Sequence, residues 1–179
     1  MKTKLLNFEV DQVLPEGFLC RVVNEILGQK GIWVASGASF LVLPSDEMPA
    51  ERGAIRLIDT PAFGTGLHPT TALCLETIGD LLTCTRPDAM LDVGTGSGVL
   101  ALAALTLGVP HATGIDTDDE ALRAASANAR LNGLDHRLSL ARGGPDAVTG
   151  QWPLVVANVL AAALIEMAPS LVTRLGHHG

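Results

Sequence analysis

The sequence predicts an α/β fold: a parallel β-sheet covered by helices on both faces. Three observations carry that expectation. Between Pro69 and Leu175, short apolar runs alternate with longer segments of helical period. The runs are apolar along most of their length, as strands buried on both faces are. The first of them, Ala89 to Val93, runs into a cluster of glycines that opens the next helix. Parallel sheets bind their ligands at such a turn, beyond the carboxyl ends of the strands.

The elements follow in order. Phe18 to Gln29 reads as a short helix, with Phe18, Val22 and Ile26 at helical spacing. Ile32 to Ala35 and Phe40 to Leu43 read as a hairpin about Ser36-Gly37. Pro44 to Gly53 reads as a connector, and Ile55 to Asp59 as a further strand. Pro69 to Leu82 reads as a helix with Thr70 and Thr71 in its first turn. Ala89 to Val93 is a strand, and Val99 to Leu107 an apolar helix ended by Gly108. His111 to Ile115 is the second core strand, followed at once by Asp116. Asp119 to Leu131 is a helix stopped by Asn132-Gly133. Leu138 to Ala141 is the third strand, Arg142 to Gln151 a loop, Leu154 to Val159 the fourth strand and Ala161 to Leu175 the last helix. Right-handed crossovers make such a sheet Rossmann-like. The expected division is an extension over residues 1–60 and a core over 61–179.

Composition narrows the function. The chain has 179 residues, 47% of them hydrophobic and 17% charged, which excludes a disordered chain. Only four Phe and two Trp are present, so the core rests on Leu, Ile, Val and Ala. The net charge is −7, and the twelve basic residues form no run, which argues against a direct nucleic-acid surface. No apolar stretch approaches the roughly 18 residues of a membrane span, so no membrane partner is expected. The basic start, Met1-Lys-Thr-Lys4, has no long apolar region behind it and does not read as a secretory signal. Cys20, Cys74 and Cys84 are odd in number and form no CxxC pair. They read as buried or idle thiols in a reducing cytoplasm, with no metal site.

The glycine turn reads Leu91-Asp-Val-Gly94-Thr-Gly96-Ser-Gly98. Its spacing is GxGxG, because Val99 stands where dinucleotide fingerprints place a third glycine. That departure disfavours a nicotinamide dehydrogenase. The helix that follows points its positive end at the site and suits a carboxylate by roughly 0.3–1 kcal/mol. Asp116 ends the next strand, where an acidic side chain accepts hydrogen bonds from both ribose hydroxyls. A nucleoside without phosphates and with a zwitterionic tail matches both features, and S-adenosyl-L-methionine is such a molecule. The plainer alternative makes the glycines a tight turn and Asp116 a cap for the helix starting near Asp119.

Upstream lies Phe63-Gly64-Thr65-Gly66-Leu67-His68-Pro69-Thr70-Thr71: a flexible turn, an imidazole and two hydroxyls at a helix start. With LDVGTGSG, GIDTD and ANVLA, this stretch resembles the PrmA methyltransferases. Those enzymes use S-adenosyl-L-methionine to trimethylate the ribosomal stalk-base protein L11. The resemblance runs from about Ile32 to the last helix. It implies the Rossmann-like sheet of class I S-adenosyl-L-methionine-dependent methyltransferases. It further implies that Phe63, Gly64 and Thr65 line the cofactor cleft and that His68 and Thr71 close it around the methionine part. Gly94 and Gly96 would form the turn beneath the cofactor, Asp116 would hold the ribose, and Asn158 would stand near the reactive methyl.

The chemistry of Asn158 suits an amine acceptor. A lysine must lose its proton before methylation, which at pH 7 costs roughly 4–5 kcal/mol from a reference pKa of about 10.4. A carboxylate beside it would favour the ammonium and oppose that loss, whereas a neutral carboxamide accepts the amine's hydrogen bond without doing so. Related methyltransferases acting on a glutamine amide or adenine N6 carry N/D-P-P-Y here, and Val159-Leu160 replaces Pro-Pro in this chain.

Two features depart from the family's pattern. The family has a full substrate-recognition domain before the core, and only residues 1–62 precede the FGTG loop here. Its sheet has seven strands, four are legible, and the sequence given stops at Gly179. The chain is therefore expected to be a truncated form. The fourth strand would lie at an apolar edge, covered either by the N-terminal strands or by a second copy of the chain. The partner implied is a ribosomal protein. A non-catalytic module that keeps cofactor affinity, or a methyltransferase for another substrate, stays open as an alternative.

Overall fold

A computed structural model describes residues 32–35, 38–44, 54–58 and 69–176. The expected helix over Phe18 to Gln29 and the loop residues Phe63, Gly64, Thr65 and His68 lie outside the described residues.

Two sheets are present among those residues. β1 (Ile32–Ala35) pairs antiparallel with β2 (Ala38–Pro44), which confirms the hairpin, and β2 pairs parallel with β3 (Ala54–Leu57). The core sheet holds β4 (Ala89–Val93), β5 (His111–Asp116), β6 (Leu138–Arg142) and β7 (Leu154–Ala157), in the order β6-β5-β4-β7. All its pairings are parallel. The order reverses at β4, which places the turn after it at the switch point where open α/β sheets form their ligand crevice.

The α/β fold was legible because strand residues alternate between two apolar clusters. Met90, Ala112, Leu154 and Val156 face one, together with α1 (Pro69–Cys84) and α2 (Val99–Thr106). Leu91, Val93, Ile115, Val155 and Ala157 face the other, together with Met167 and Leu171 of α4 (Ala161–Arg174). Helix α2 is apolar on every side, and Val99 through Leu105 are all buried, as a helix sandwiched between layers must be. Helix α3 (Asp119–Leu131) buries Ala121, Ala124, Ala125, Asn128 and Ala129, one stripe at helical spacing. Its small side chains let α2 come close: a Cβ on Gly98 would lie 3.1 Å from Ala125 Cβ.

The outer edge of β7 pairs with no described strand, apart from a single bridge between Trp152 and Leu175. The N-terminal strands do not cover it. They form their own sheet, because β3 is held elsewhere: Asn132 Oδ1 accepts from Arg56 N at 2.9 Å, and Asn132 Nδ2 donates to Arg56 O at 2.8 Å. Leu160, Ile165 and Val172 of the α4 region are exposed. No helix among the described residues is long and apolar enough to cross a membrane.

Candidate functional site

The site is built from β4 upward. Gly94, Gly96 and Gly98 have φ of 72°, 54° and 81°, a left-handed backbone that side chains resist. This explains why every second residue of the turn is glycine. The turn hooks over the neighbouring strand: Gly94 N and Thr95 N both donate to Ile115 O, at 2.9 and 3.0 Å. Gly98 N closes it by donating to Thr95 O at 2.8 Å.

Asp116 follows one residue after that shared carbonyl, so its side chain rises beside the turn. Its Oδ2 accepts from Gly96 N at 2.9 Å, and its Oδ1 accepts from Asp118 N at 3.0 Å. Each oxygen keeps a second lone pair, so the carboxylate can still receive two hydroxyl donors. Asp116 is not the cap of α3. Asp118 is, accepting from Glu120 N at 2.8 Å.

Asp92 sits beneath the turn with 1% of its surface exposed. Its Oδ2 accepts from Thr95 Oγ at 2.8 Å, while Oδ1 has no partner. Burial pushes its carboxyl up to about 6; Thr95 and the Ala101 backbone N–H pull the other way, and the Asp116 charge adds to the rise. Gly114 makes room for this arrangement, since a Cβ there would lie 2.8 Å from Thr95 Oγ.

The fourth strand delivers the remaining residues. The chain leaves the sheet after Ala157 rather than Val159. Asn158 Nδ2 donates to Thr71 Oγ at 3.3 Å, which leaves the carbonyl oxygen of its amide as an acceptor. Val159 packs on the glycine turn, close enough that a Cβ on Gly94 would stand 2.4 Å from its Cγ1. Thr71 is buried in the first turn of α1. The structure thus brings together two groups of sequence-selected residues, Gly94, Gly96 and Asp116 in one and Thr71 and Asn158 in the other. The Gly94–Val159 contact links them.

Sequence reasoning missed the contacts of Thr95 and Gly114 beneath the turn, and that of Asn128, whose Nδ2 donates to Ser97 O at 2.9 Å. Gly114 carried a signal, because a glycine inside a strand marks a close backbone approach. An open cleft lined by Leu82, Arg86, Pro87, Leu107 and Pro110 lies at the opposite, amino ends of β4 and β5 and takes no part. Among the described residues no group of His, Cys, Asp or Glu is arranged to hold a metal ion.

Comparison with known proteins decides the family. The family model described as ribosomal protein L11 methyltransferase (PrmA) matches residues 34–179. The chain belongs to the PrmA family. The ribosomal protein L11 methyltransferase of Chromohalobacter salexigens is 46% identical over 148 residues, covering 80% of this chain and 48% of that protein. That of Marinobacter nauticus is 46% identical over 147 residues, covering 79% and 48%. Among solved structures, the ribosomal protein L11 methylase of Lactobacillus delbrueckii subsp. bulgaricus superposes with a TM-score of 0.71 at 33% identity, over 83% of this chain and 76% of that one. This PrmA chain spans about half the length of the curated relatives it matches. The matched span, residues 34–179, runs across the glycine turn, Asp116 and Asn158.

Proposed function

We propose that the chain binds S-adenosyl-L-methionine across the carboxyl ends of β4 and β5 and transfers its methyl group to an amino group of a ribosomal protein, the L11 protein for which its relatives are named. The observation that carries this reading is the pairing of Asp116 with the glycine turn: a carboxylate with spare lone pairs beside a side-chain-free bend. The residues fit the group. The bend offers backbone without a Cβ, and Asp116 offers acceptors to two ribose hydroxyls. Phe63, Gly64, Thr65 and His68 complete the cleft in this proposal, and Thr71 closes the methionine end together with Asn158.

The cofactor supplies an electrophilic methyl on a sulfonium. The chain's own residues position and desolvate. Holding the reactants in line supplies much of the acceleration of a displacement. Asn158 is held through its amide nitrogen by Thr71, so its carbonyl oxygen accepts from the incoming amine. A neutral acceptor leaves the amine's pKa to be lowered by desolvation.

The test is methyl transfer to ribosomal protein L11, with Asn158→Asp as the variant. The carboxylate would hold the acceptor as an ammonium, so the kcat profile is expected to move about 1–2 pH units to the alkaline side. At pH 7.5 kcat should fall roughly tenfold or more, with the cofactor KM little changed. An unmoved profile removes Asn158 from the amine's environment, and transfer to no ribosomal protein removes the substrate assignment.

A further inference from the structure

We infer that Asn128, which lies outside the PrmA-type motifs and touches no expected ligand position, is a positioning residue for the glycine turn. The inference rests on the proposed cofactor site, since the turn matters to function only if it binds there.

Asn128 lies in the middle of α3 with none of its surface exposed. Its Nδ2 donates to Ser97 O at 2.9 Å. Its Oδ1 accepts from Ile58 N, just beyond β3, at 2.8 Å. Both ends of one carboxamide are therefore used on main chain from two distant segments. The Ser97 carbonyl belongs to the same peptide plane as the Gly98 N–H, which donates to Thr95 O at 2.8 Å. That plane is gripped on one side by Asn128 and on the other by the turn itself. That plane turns about Ser97 ψ and Gly98 φ, and Gly98, at φ 81°, has no Cβ to resist rotation on its side. The Asn128 bond supplies the resistance that Gly98 lacks. Thr95 O shares its peptide plane with Gly96 N, which donates to Asp116 Oδ2 at 2.9 Å, so the hold on the Ser97–Gly98 plane passes through the Gly98–Thr95 bond to the carboxylate.

Asn132, one helical turn on, is the matched control. It ties β3 to α3 through both Arg56 N and Arg56 O, and its side-chain bonds reach no atom of the turn. A purely structural role for Asn128 predicts that the two asparagines behave alike.

The experiment compares Asn128→Ala and Asn132→Ala in the full chain. It uses melting temperature, amide resonances of the cofactor-free protein, and calorimetric titration with S-adenosyl-L-homocysteine. Both variants are expected to melt earlier. Only Asn128→Ala should move the Gly96 and Gly98 amide resonances and weaken binding, by about tenfold. Asn132→Ala should leave the resonances in place and the affinity within about twofold. Should Asn128→Ala fail to fold, Asn128→Asp keeps the acceptor for Ile58 N, removes the donor to Ser97 O, and is expected to show the same resonance shifts. Equal displacement of the turn by both variants, or glycine amides unmoved in the Asn128 variants, overturns the inference. If the wild-type chain binds no S-adenosyl-L-homocysteine, the proposed function falls, and the resonances still decide the role of Asn128.

Discussion

Asp92→Asn is expected to gain stability over the wild type as pH rises, the gap widening by about 2 kcal/mol between pH 4 and pH 8. The cause is the burial of a carboxyl beneath the glycine turn, with one oxygen unpartnered. In the folded chain it titrates at about 6, against an ordinary 3.8. Below the lower value both folded and unfolded states hold the proton, and no cost arises. Between the two values the unfolded chain ionises while the folded chain does not, so wild-type stability falls as pH rises. Above about 6 the whole cost, of order 3 kcal/mol, is present. Asparagine cannot ionise and escapes it, while its Oδ1 can still accept from Thr95. Chemical denaturation of both proteins across that range measures the gap. A constant difference would show that Asp92 does not titrate between 4 and 6 in the folded chain.

Gly94→Ala is expected to destabilise the chain by about 2–5 kcal/mol and to abolish cofactor binding. Two costs combine. A side chain at φ 72° meets the left-handed penalty of about 1–2 kcal/mol. The new Cβ would also stand 2.4 Å from Val159 Cγ1. Overpacking of that kind adds about 1–3 kcal/mol, because a β-branched neighbour cannot swing aside. Any relief must push Val159, and Asn158 moves with it. Gly133→Ala isolates the backbone part, since Gly133 has φ 68° and nothing within 4 Å of its added Cβ. Gly133→Ala should therefore lose only about 1–2 kcal/mol and keep its binding. Equal losses in urea titrations of the two variants would contradict the contact with Val159.

The fold was legible where local pattern and burial agree. Helix α3 occupies the span its sequence announces, because Asp118 caps one end and Asn132-Gly133 stops the other. β5 and β6 each run one residue beyond their apolar stretch, since Asp116 and Arg142 still pair with each other. β7 ends two residues early, because Asn158 turns to Thr71 and Val159 to Gly94. Those are tertiary contacts, and strand pattern does not encode them. The same holds for the short 3-10 turn Asp135–Arg137. Arg137 is spent there on the carbonyls of Leu105, Val109 and Pro110 at the far end of α2. The placing of Asp116 against the glycine turn was legible, because motif spacing fixes the geometry of Gly94, Gly96 and Asp116. Asn128 was not, because a polar residue within an amphipathic helix looks like surface until its partners, 31 and 70 positions away, are seen.

Calorimetric titration with S-adenosyl-L-homocysteine, on the wild type and on Asp116→Ala, tests the central claim most directly. A single site should appear in the wild type, and the variant should lose about 1.5–3 kcal/mol of binding, a factor of ten or more. Heat-silent titration of a folded wild type, or a variant that binds as tightly as its parent, would contradict the placement of an adenosyl ligand between that carboxylate and the glycine turn.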